Sequence, residues 1–336
     1  MTNNTPLAKA EPNANLTVLG GVSVHESRDP RYLEYRREWM ENPKNFVVRD
    51  FPVHLDIEAT NRCNLRCTFC DKLPLLKPED FGNLDFDLFR KIIDEGEQGN
   101  LCGLKLSYRG EPLLHPRLAE MVAYAKGHGV LDIYFNTNAM LLSEKKARDL
   151  IDARLDRISI SVEGVDPVPF ERERVGAKFD KIQENVGRLK QLRDEMGRVG
   201  PKIRIQTVTL PGIDMQAYAA YWGPFCDETA SVDYKDVENR DEALIEPDWA
   251  CPQLWQRMTV ECDGTVMPCN NDDFRTLSPG NLKDISVREA WRASVVEEAR
   301  RLHKEGRSHE VEACNGCPWR TTQILKKREC EGRMQD

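Results

Sequence analysis

The sequence predicts an α/β fold: a partial (β/α)6-type parallel barrel followed by a small C-terminal domain built from a hairpin and a helix. Three observations carry that reading. Strand-like and helix-like stretches alternate about six times between residues 51 and 237, the pattern of a parallel sheet with crossover helices. Three cysteines fall directly after the first of those strands, where α/β folds carry their reactive loops. Beyond residue 250 the alternation stops and cysteines recur around turns.

Residues 1–20 are polar and rich in Asn, Pro and Ala, and are expected to be mobile. DPRYLEYRREWMENP (29–43) reads as a helix with aromatic anchors, and FPVHLDIEAT (51–60) as the first core strand. Helical spacing of apolar residues marks 85–98, 116–129, 143–153 and 178–197; strands are expected at 104–108, 130–137, 156–164, 202–210 and, more weakly, 231–237. In the C-terminal part, RMTVECDGTVMPC (257–269) is a hairpin turning at Asp263-Gly264. Residues 286–306 form one amphipathic helix and ACNGCPW (313–319) a tight turn. The boundaries are thus an N-terminal extension over 1–46, a core over 47–240 and an appended domain over 241–336.

A chain of 336 residues with 40% hydrophobic and 31% charged residues suits a soluble protein with a sizeable core. The formal net charge of −8 argues against a nucleic-acid partner. No apolar run approaches the ~18 residues of a membrane span, and the N-terminus lacks the features of a signal peptide. A cytoplasmic location with no membrane partner is expected. Eleven cysteines in such a chain are unsuited to disulfides, and clustering points to metal or catalysis.

EATNRCNLRCTFCD (58–71) sets Cys63, Cys67 and Cys70 as C-x3-C-x2-C. A structural zinc site is closed by four ligands, and the histidine at hand, His54, lies in the strand ahead of the loop. A [4Fe–4S] cluster capped by three thiolates keeps one iron open, which serves a catalytic site and not a structural one.

This motif, with Phe69 before its last cysteine, resembles the radical S-adenosylmethionine (SAM) enzymes. The resemblance implies a [4Fe–4S] cluster on Cys63, Cys67 and Cys70 whose open iron binds SAM, and cleavage of SAM to a 5′-deoxyadenosyl radical that abstracts hydrogen from the substrate. Tyr108-Arg109-Gly110-Glu111-Pro112 is similar to the family's GGEP segment, with Arg109 in place of the first glycine. Asn136-Thr137-Asn138 resembles its TNG, and Ser161-Val162-Glu163-Gly164 its S-x-D-G, with Glu163 for Asp. Arg174 matches an arginine that pairs with the SAM carboxylate. The SAM-binding residues implied are Phe69, Gly110, Glu111, Pro112, Asn138, Ser161 and Arg174.

Cys251 and Cys269 form C-x12-G-x4-C around Gly264, and Cys314 and Cys317 form C-x2-C. The set resembles the C-terminal SPASM/twitch extension of the same family. The shorter twitch form fits, since the longer form's added C-x5-C-x3-C run is missing after Cys317. The resemblance implies a second, auxiliary [4Fe–4S] cluster on Cys251, Cys269, Cys314 and Cys317; a zinc ribbon is the alternative, and Cys262 the alternative to Cys251. A fully ligated cluster can still take an electron, as in the family's dehydrogenases.

The favoured expectation is therefore a radical SAM oxidoreductase that oxidises a hydroxyl-bearing carbon of a sugar, nucleotide sugar or aminocyclitol, with flavodoxin or ferredoxin as electron donor. Only about 50 residues precede the first core strand, fewer than the roughly 80 of a peptide-recognition domain; peptide or protein maturation is an alternative. Epimerisation is another, with Cys226 as hydrogen donor. A non-enzymatic iron–sulfur protein is a third. Glu163, Asp166 and His115 are candidates for the base that removes the hydroxyl proton.

Overall fold

The computed structural model describes residues 9–10, 16–209, 212–235 and 244–333. In chain order its strands are β1 (Leu16–Gly21), β2 (His54–Ile57), β3 (Arg66–Cys67), β4 (Gly103–Lys105), β5 (Asp132–Thr137), β6 (Arg157–Ser161), β7 (Arg174–Val175), β8 (Lys202–Val208), β9 (Glu228–Val232), β10 (Arg257–Val260), β11 (Thr265–Met267) and β12 (Gly280–Asn281). The helices are α1 (Pro30–Lys44), α2 (Phe86–Gln98), α3 (Leu118–Gly127), α4 (Glu144–Asp152), α5 (Pro167–Glu173), α6 (Phe179–Glu195), α7 (Met215–Trp222), α8 (Gln253–Gln256), α9 (Val287–Trp291), α10 (Ser294–Lys304) and α11 (Pro318–Arg333).

One sheet of order β1-β9-β8-β6-β5-β4-β2-β10-β11-β12 organises the described residues. From β9 to β2 every neighbouring pair is parallel. The predicted (β/α)6 core is therefore present, with its loops gathered at the carboxyl ends of the strands. Helices start where the side chain before them can take free backbone N–H groups: Asp85 for α2, Ser143 for α4 and Asp214 for α7.

The strands alternate in character, although a parallel sheet covered on both faces usually reads as continuously apolar. Leu55, Ile57, Leu104, Ile133, Phe135, Ile158, Ile160, Ile203 and Ile205 belong to the core under the helices. The residues between them line the inside and pair by charge. Arg157 makes a bidentate bond to Asp132 at 2.8 and 2.7 Å, Arg257 reaches Asp56 at 3.2 Å, and Arg204 pairs with Glu228. The Arg157 guanidinium holds Asp132 down at about 2 against the upward push of burial. Helix α1 sits at the amino ends of the strands, packing Tyr32, Tyr35 and Trp39 on Val53.

Three expectations are corrected. Residues 16–21 are not a mobile tail but an edge strand, antiparallel to β9; residues 1–8 and 11–15 lie outside the described residues. The last core strand is 228–232, ahead of the expected 231–237, part of which lies outside the described residues. The expected helix 286–306 is two helices, α9 and α10, with Ala293 extended between them; the interruption leaves the Trp291 carbonyl free to accept from Arg300 at 2.9 Å. The expected C-terminal hairpin is present and joins the main sheet. Its first strand, β10, lies parallel to β2 with Arg257 beside His54 and Val260 beside Ile57.

Candidate active site

The C-x3-C-x2-C loop leaves β2 at the carboxyl end of the barrel and is braced from three sides. Asn61 accepts from the Gly82 N–H and donates to the Asp80 carbonyl, both at 2.8 Å. The short ribbon β3–β7 sets Cys67 opposite Arg174. The Glu111 N–H donates to the Arg62 carbonyl at 2.8 Å. All three cysteines are half-buried. Burial pushes the Cys67 thiol up to about 11, Arg174 pulls it back, and Cys70 and Cys63 push it further. The three thiols thus act on one another electrostatically beside the Arg174 cation, an environment that suits an anionic thiolate-bound cluster.

The SAM-binding residues expected from sequence surround this loop. Gly110 passes so close beneath it that a Cβ would lie 2.3 Å from the Thr60 carbonyl oxygen and 2.5 Å from that of Arg62. The buried Glu111 carboxylate accepts from the Thr137 hydroxyl at 2.6 Å, the Asn138 N–H at 2.8 Å and the Leu113 N–H at 3.1 Å. It therefore ties the segment at 110–112 to that at 136–138. Asn138 in turn donates to Asn64 in the cysteine loop at 3.0 Å. Pro112 opens a short buried turn. Ser161 ends β6 beside Gln206. The Arg174 guanidinium stands 5.4 Å from the Phe69 ring centre and makes a bidentate bond to Glu163, one arm at 2.7 Å. Phe69, Glu163, Asp166 and Phe170 line a cavity of about 550 Å³. A cavity of about 660 Å³, lined by Asp132, Arg157 and Lys202, opens at the amino ends of the strands, away from the cysteines.

The four later cysteines also come together. Cys251 and Cys317 are buried with Trp249, Trp319 and Ile324; Cys269 and Cys314 are half-buried. Gly316, at φ +69°, lets the chain turn between Cys314 and Cys317. Burial raises Cys314 well above the ordinary thiol range, and Cys317, Cys269 and Cys251 raise it further. His303 is enclosed: its Nδ1 accepts from the Cys251 N–H at 3.0 Å, so its Nε2 carries the proton and points at the Cys314 sulfur, 3.3 Å away. The Arg320 guanidinium, 1% exposed, donates to Ser308 and to the Leu244 carbonyl and leaves Nη1 buried without a hydrogen-bond partner. A buried cation close to Cys314, Cys317 and Cys251 suits a site that holds an anionic metal–sulfur group.

Between the two sets of cysteines lies a polar network. Arg109 makes a fork to Glu58, with both bonds at 2.7 Å, and reaches Glu261 at 3.0 Å. Glu261 also pairs with Arg275, and Lys72 with Asp273. Arg109 thus stands where the family pattern has glycine because it joins the core to the hairpin. Lys235, three residues past β9, donates to Asn271 at 2.9 Å. Burial, reinforced by Lys72, lowers its ammonium to about 8. Sequence reading missed Lys235, which it placed inside the expected strand 231–237 and not past the end of β9.

Several expected roles are not supported by placement. Cys226 lies at the amino end of β9, where Asp227 N–H bonds Ile203 at the start of β8, and its thiol is spent on the Trp222 carbonyl at 3.3 Å. It is at the far end of the barrel from Cys63, Cys67 and Cys70, so it cannot return hydrogen there. Glu163 is committed to Arg174 and Asp166 caps α5, which removes both as free bases. His115 uses one ring nitrogen on the Leu84 carbonyl and the other on the Arg117 N–H. His54 is held between Tyr35 and Asp56 inside the barrel. Cys262 packs in the main core, with its N–H on Glu58, apart from the four clustered cysteines.

Residues 57–217 match the family model described as the Radical SAM superfamily, and residues 251–318 that of an iron–sulfur cluster-binding domain, SPASM. Among curated proteins, the chain is 32% identical over 148 residues to a probable GTP 3′,8-cyclase of Methanococcus maripaludis, covering 44% of this chain and 47% of that one. It is 33% identical over 159 residues to the tungsten-containing aldehyde ferredoxin oxidoreductase cofactor-modifying protein of Pyrococcus furiosus, covering 46% and 43%. The chain spans about half the length of the curated relatives it matches. Among solved structures, anSMEcpe with bound AdoMet matches with TM-score 0.58 at 15% identity over 81% of this chain and 96% of that one. BtrN in complex with AdoMet and 2-DOIA matches with TM-score 0.52 at 17% identity over 77% and 89%. Among the described residues, no helix is long and apolar enough to cross a membrane.

Proposed function

We propose, from the premise that this chain is a radical SAM enzyme with a C-terminal SPASM domain, that it oxidises a hydroxyl-bearing carbon of a small carbohydrate-like substrate to a ketone. A sugar, nucleotide sugar or aminocyclitol is the substrate class, and flavodoxin or ferredoxin the electron donor. Cys63, Cys67 and Cys70 would hold the SAM-binding cluster; Cys251, Cys269, Cys314 and Cys317 would hold the auxiliary one. When bound, the first cluster and SAM supply a 5′-deoxyadenosyl radical that takes a hydrogen atom, and the second cluster supplies an electron acceptor.

The residues divide the remaining work. Phe69, Gly110, Glu111, Pro112, Asn138, Ser161 and Arg174 would seat SAM, with Glu111 acting as the brace that fixes the two binding segments. Loss of a hydrogen atom from the carbinol carbon leaves one proton and one electron to be removed before a C=O bond is complete. The observation that carries the reading is Lys235, an amine just past the carboxyl end of β9 that donates to Asn271 and is lowered by burial to about 8. It would accept the hydroxyl proton, and the electron would pass to the four-thiolate site. BtrN, which shares this fold, was solved in complex with AdoMet and 2-DOIA, and that supports a small ligand here.

The test uses anaerobically reconstituted full-length protein with SAM, a reductant and a panel of hydroxylated sugars. Two cubane clusters require about eight irons per chain, and the variant with Cys63, Cys67 and Cys70 all changed to Ala about four. A substrate deuterated at the carbinol carbon should pass its deuterium to 5′-deoxyadenosine in step with ketone formation. The rate should rise with pH through about 8, because the base is the neutral form of Lys235, and Lys235→Met should lose that rise along with most turnover. Cys226→Ala should turn over normally; solvent deuterium in the product without a ketone would replace oxidation with epimerisation. GTP belongs in the panel because the Methanococcus relative is a probable GTP 3′,8-cyclase; its cyclisation without any ketone would end the oxidation reading.

A further inference from the structure

Arg320 and His303 stand out against the rest of the buried polar groups. The other buried arginines at the core have carboxylate partners: Arg157 has Asp132, Arg204 has Glu228 and Arg109 has Glu58. Arg320 has none among the described residues. It leaves α11 one turn after Cys317, with neutral acceptors for two of its nitrogens and Nη1 unpartnered. The Trp249 ring covers it at 5.7 Å. The Cys314, Cys317 and Cys251 thiols lie within electrostatic reach of it. His303 is fixed in one tautomer by the Cys251 N–H, so its remaining N–H is aimed at the Cys314 sulfur.

We propose that Arg320 and His303 are poising residues for the auxiliary cluster, raising its reduction potential so that it accepts an electron. This rests on the reading that Cys251, Cys269, Cys314 and Cys317 hold that cluster. Adding an electron makes the site more negative. A buried guanidinium with an unspent N–H favours that state, and so does an N–H···S bond that drains charge from a ligand sulfur. Neither residue touches substrate. Their effect reaches the reaction only through the readiness of the cluster to take the electron left after hydrogen and proton have gone.

The experiment is an EPR-monitored redox titration in full-length protein with Cys63, Cys67 and Cys70 changed to Ala, so that one cluster is observed. Arg320→Met should lower the reduced-to-oxidised ratio at a fixed ambient potential at least tenfold, which is about 59 mV for a one-electron couple. Arg320→Lys should restore most of it, and His303→Leu should lower it in the same direction. Unchanged midpoints with about four irons retained would overturn the proposal. No iron in the parent triple variant would instead remove the four-thiolate reading, and the proposal with it. Should Arg320→Met fail to hold iron, the unsubstituted protein decides: with histidine labelled by nitrogen-15, pulsed EPR of the reduced auxiliary cluster should show nitrogen coupling, and its absence would overturn the role of His303.

Discussion

Arg109→Met should destabilise the protein by about 3–5 kcal/mol, the cost of stranding buried charge by removing its partner. Glu58 is fully buried and Glu261 is 2% exposed, so neither carboxylate can turn to water. Glu261 already has its carboxyl raised by burial, with Arg109 and Arg275 pulling it down. Without Arg109 the folded-state value of Glu261 rises further above its unfolded value. A carboxyl raised by folding costs stability above the unfolded value and nothing below it. The gap between variant and parent should therefore be widest near neutral pH and narrow as pH falls toward the ordinary carboxylate range. Urea titrations at several pH values measure this directly. Arg109→Lys keeps a charge but loses the fork and should fall between the two. A cost below about 1 kcal/mol would mean that the junction between core and hairpin does not depend on this pair.

Gly110→Ala should leave the protein folded but strip the first cluster. The added carbon would meet backbone oxygens on both sides, at 2.3 and 2.5 Å, and neither can swing aside as a side chain would. The loop carrying Cys63 has to move, and the Glu111-to-Arg62 hydrogen bond breaks with it. Displacement of about 1 Å in a reacting assembly costs on the order of 10²-fold in rate, and overpacking about 1–3 kcal/mol in stability. Iron content should drop from about eight toward about four, and SAM cleavage should fall by roughly two orders of magnitude. Gly127→Ala is the matched control, since a Cβ there meets nothing within 4 Å. Full iron and full SAM cleavage in Gly110→Ala would show that the loop tolerates the shift.

Local signals made much of this legible in advance. The cysteine triplet, the segments at 110–112 and 136–138 and the strand at 157–161 are short, and each sits at a strand end that periodicity alone locates. What escaped were pairings between distant parts of the chain. Arg109 read as a departure from pattern until Glu58 and Glu261 were seen beside it. Cys226 was assigned by its order along the chain, and order does not say which end of a strand a residue occupies. Lys235 and Arg320 are ordinary cations in sequence; only burial and the neighbours they lack make them unusual. Helix 286–306 is interrupted at Ala293, and the Trp291 carbonyl that periodicity assigns to the helix is taken instead by the Arg300 side chain.

The seating of β10 against β2 also bears on how the protein is made. The Cys262 N–H and Glu58 that meet across this junction are 204 residues apart in the chain. At roughly 5–20 residues per second, a ribosome leaves the open side of β2 unpaired for about 10–40 seconds after that strand emerges. An unpaired strand edge is a template for association with other chains. Production of the core alone, ending before residue 250, makes that exposure permanent, and such a fragment should collect in the insoluble fraction while the full chain does not.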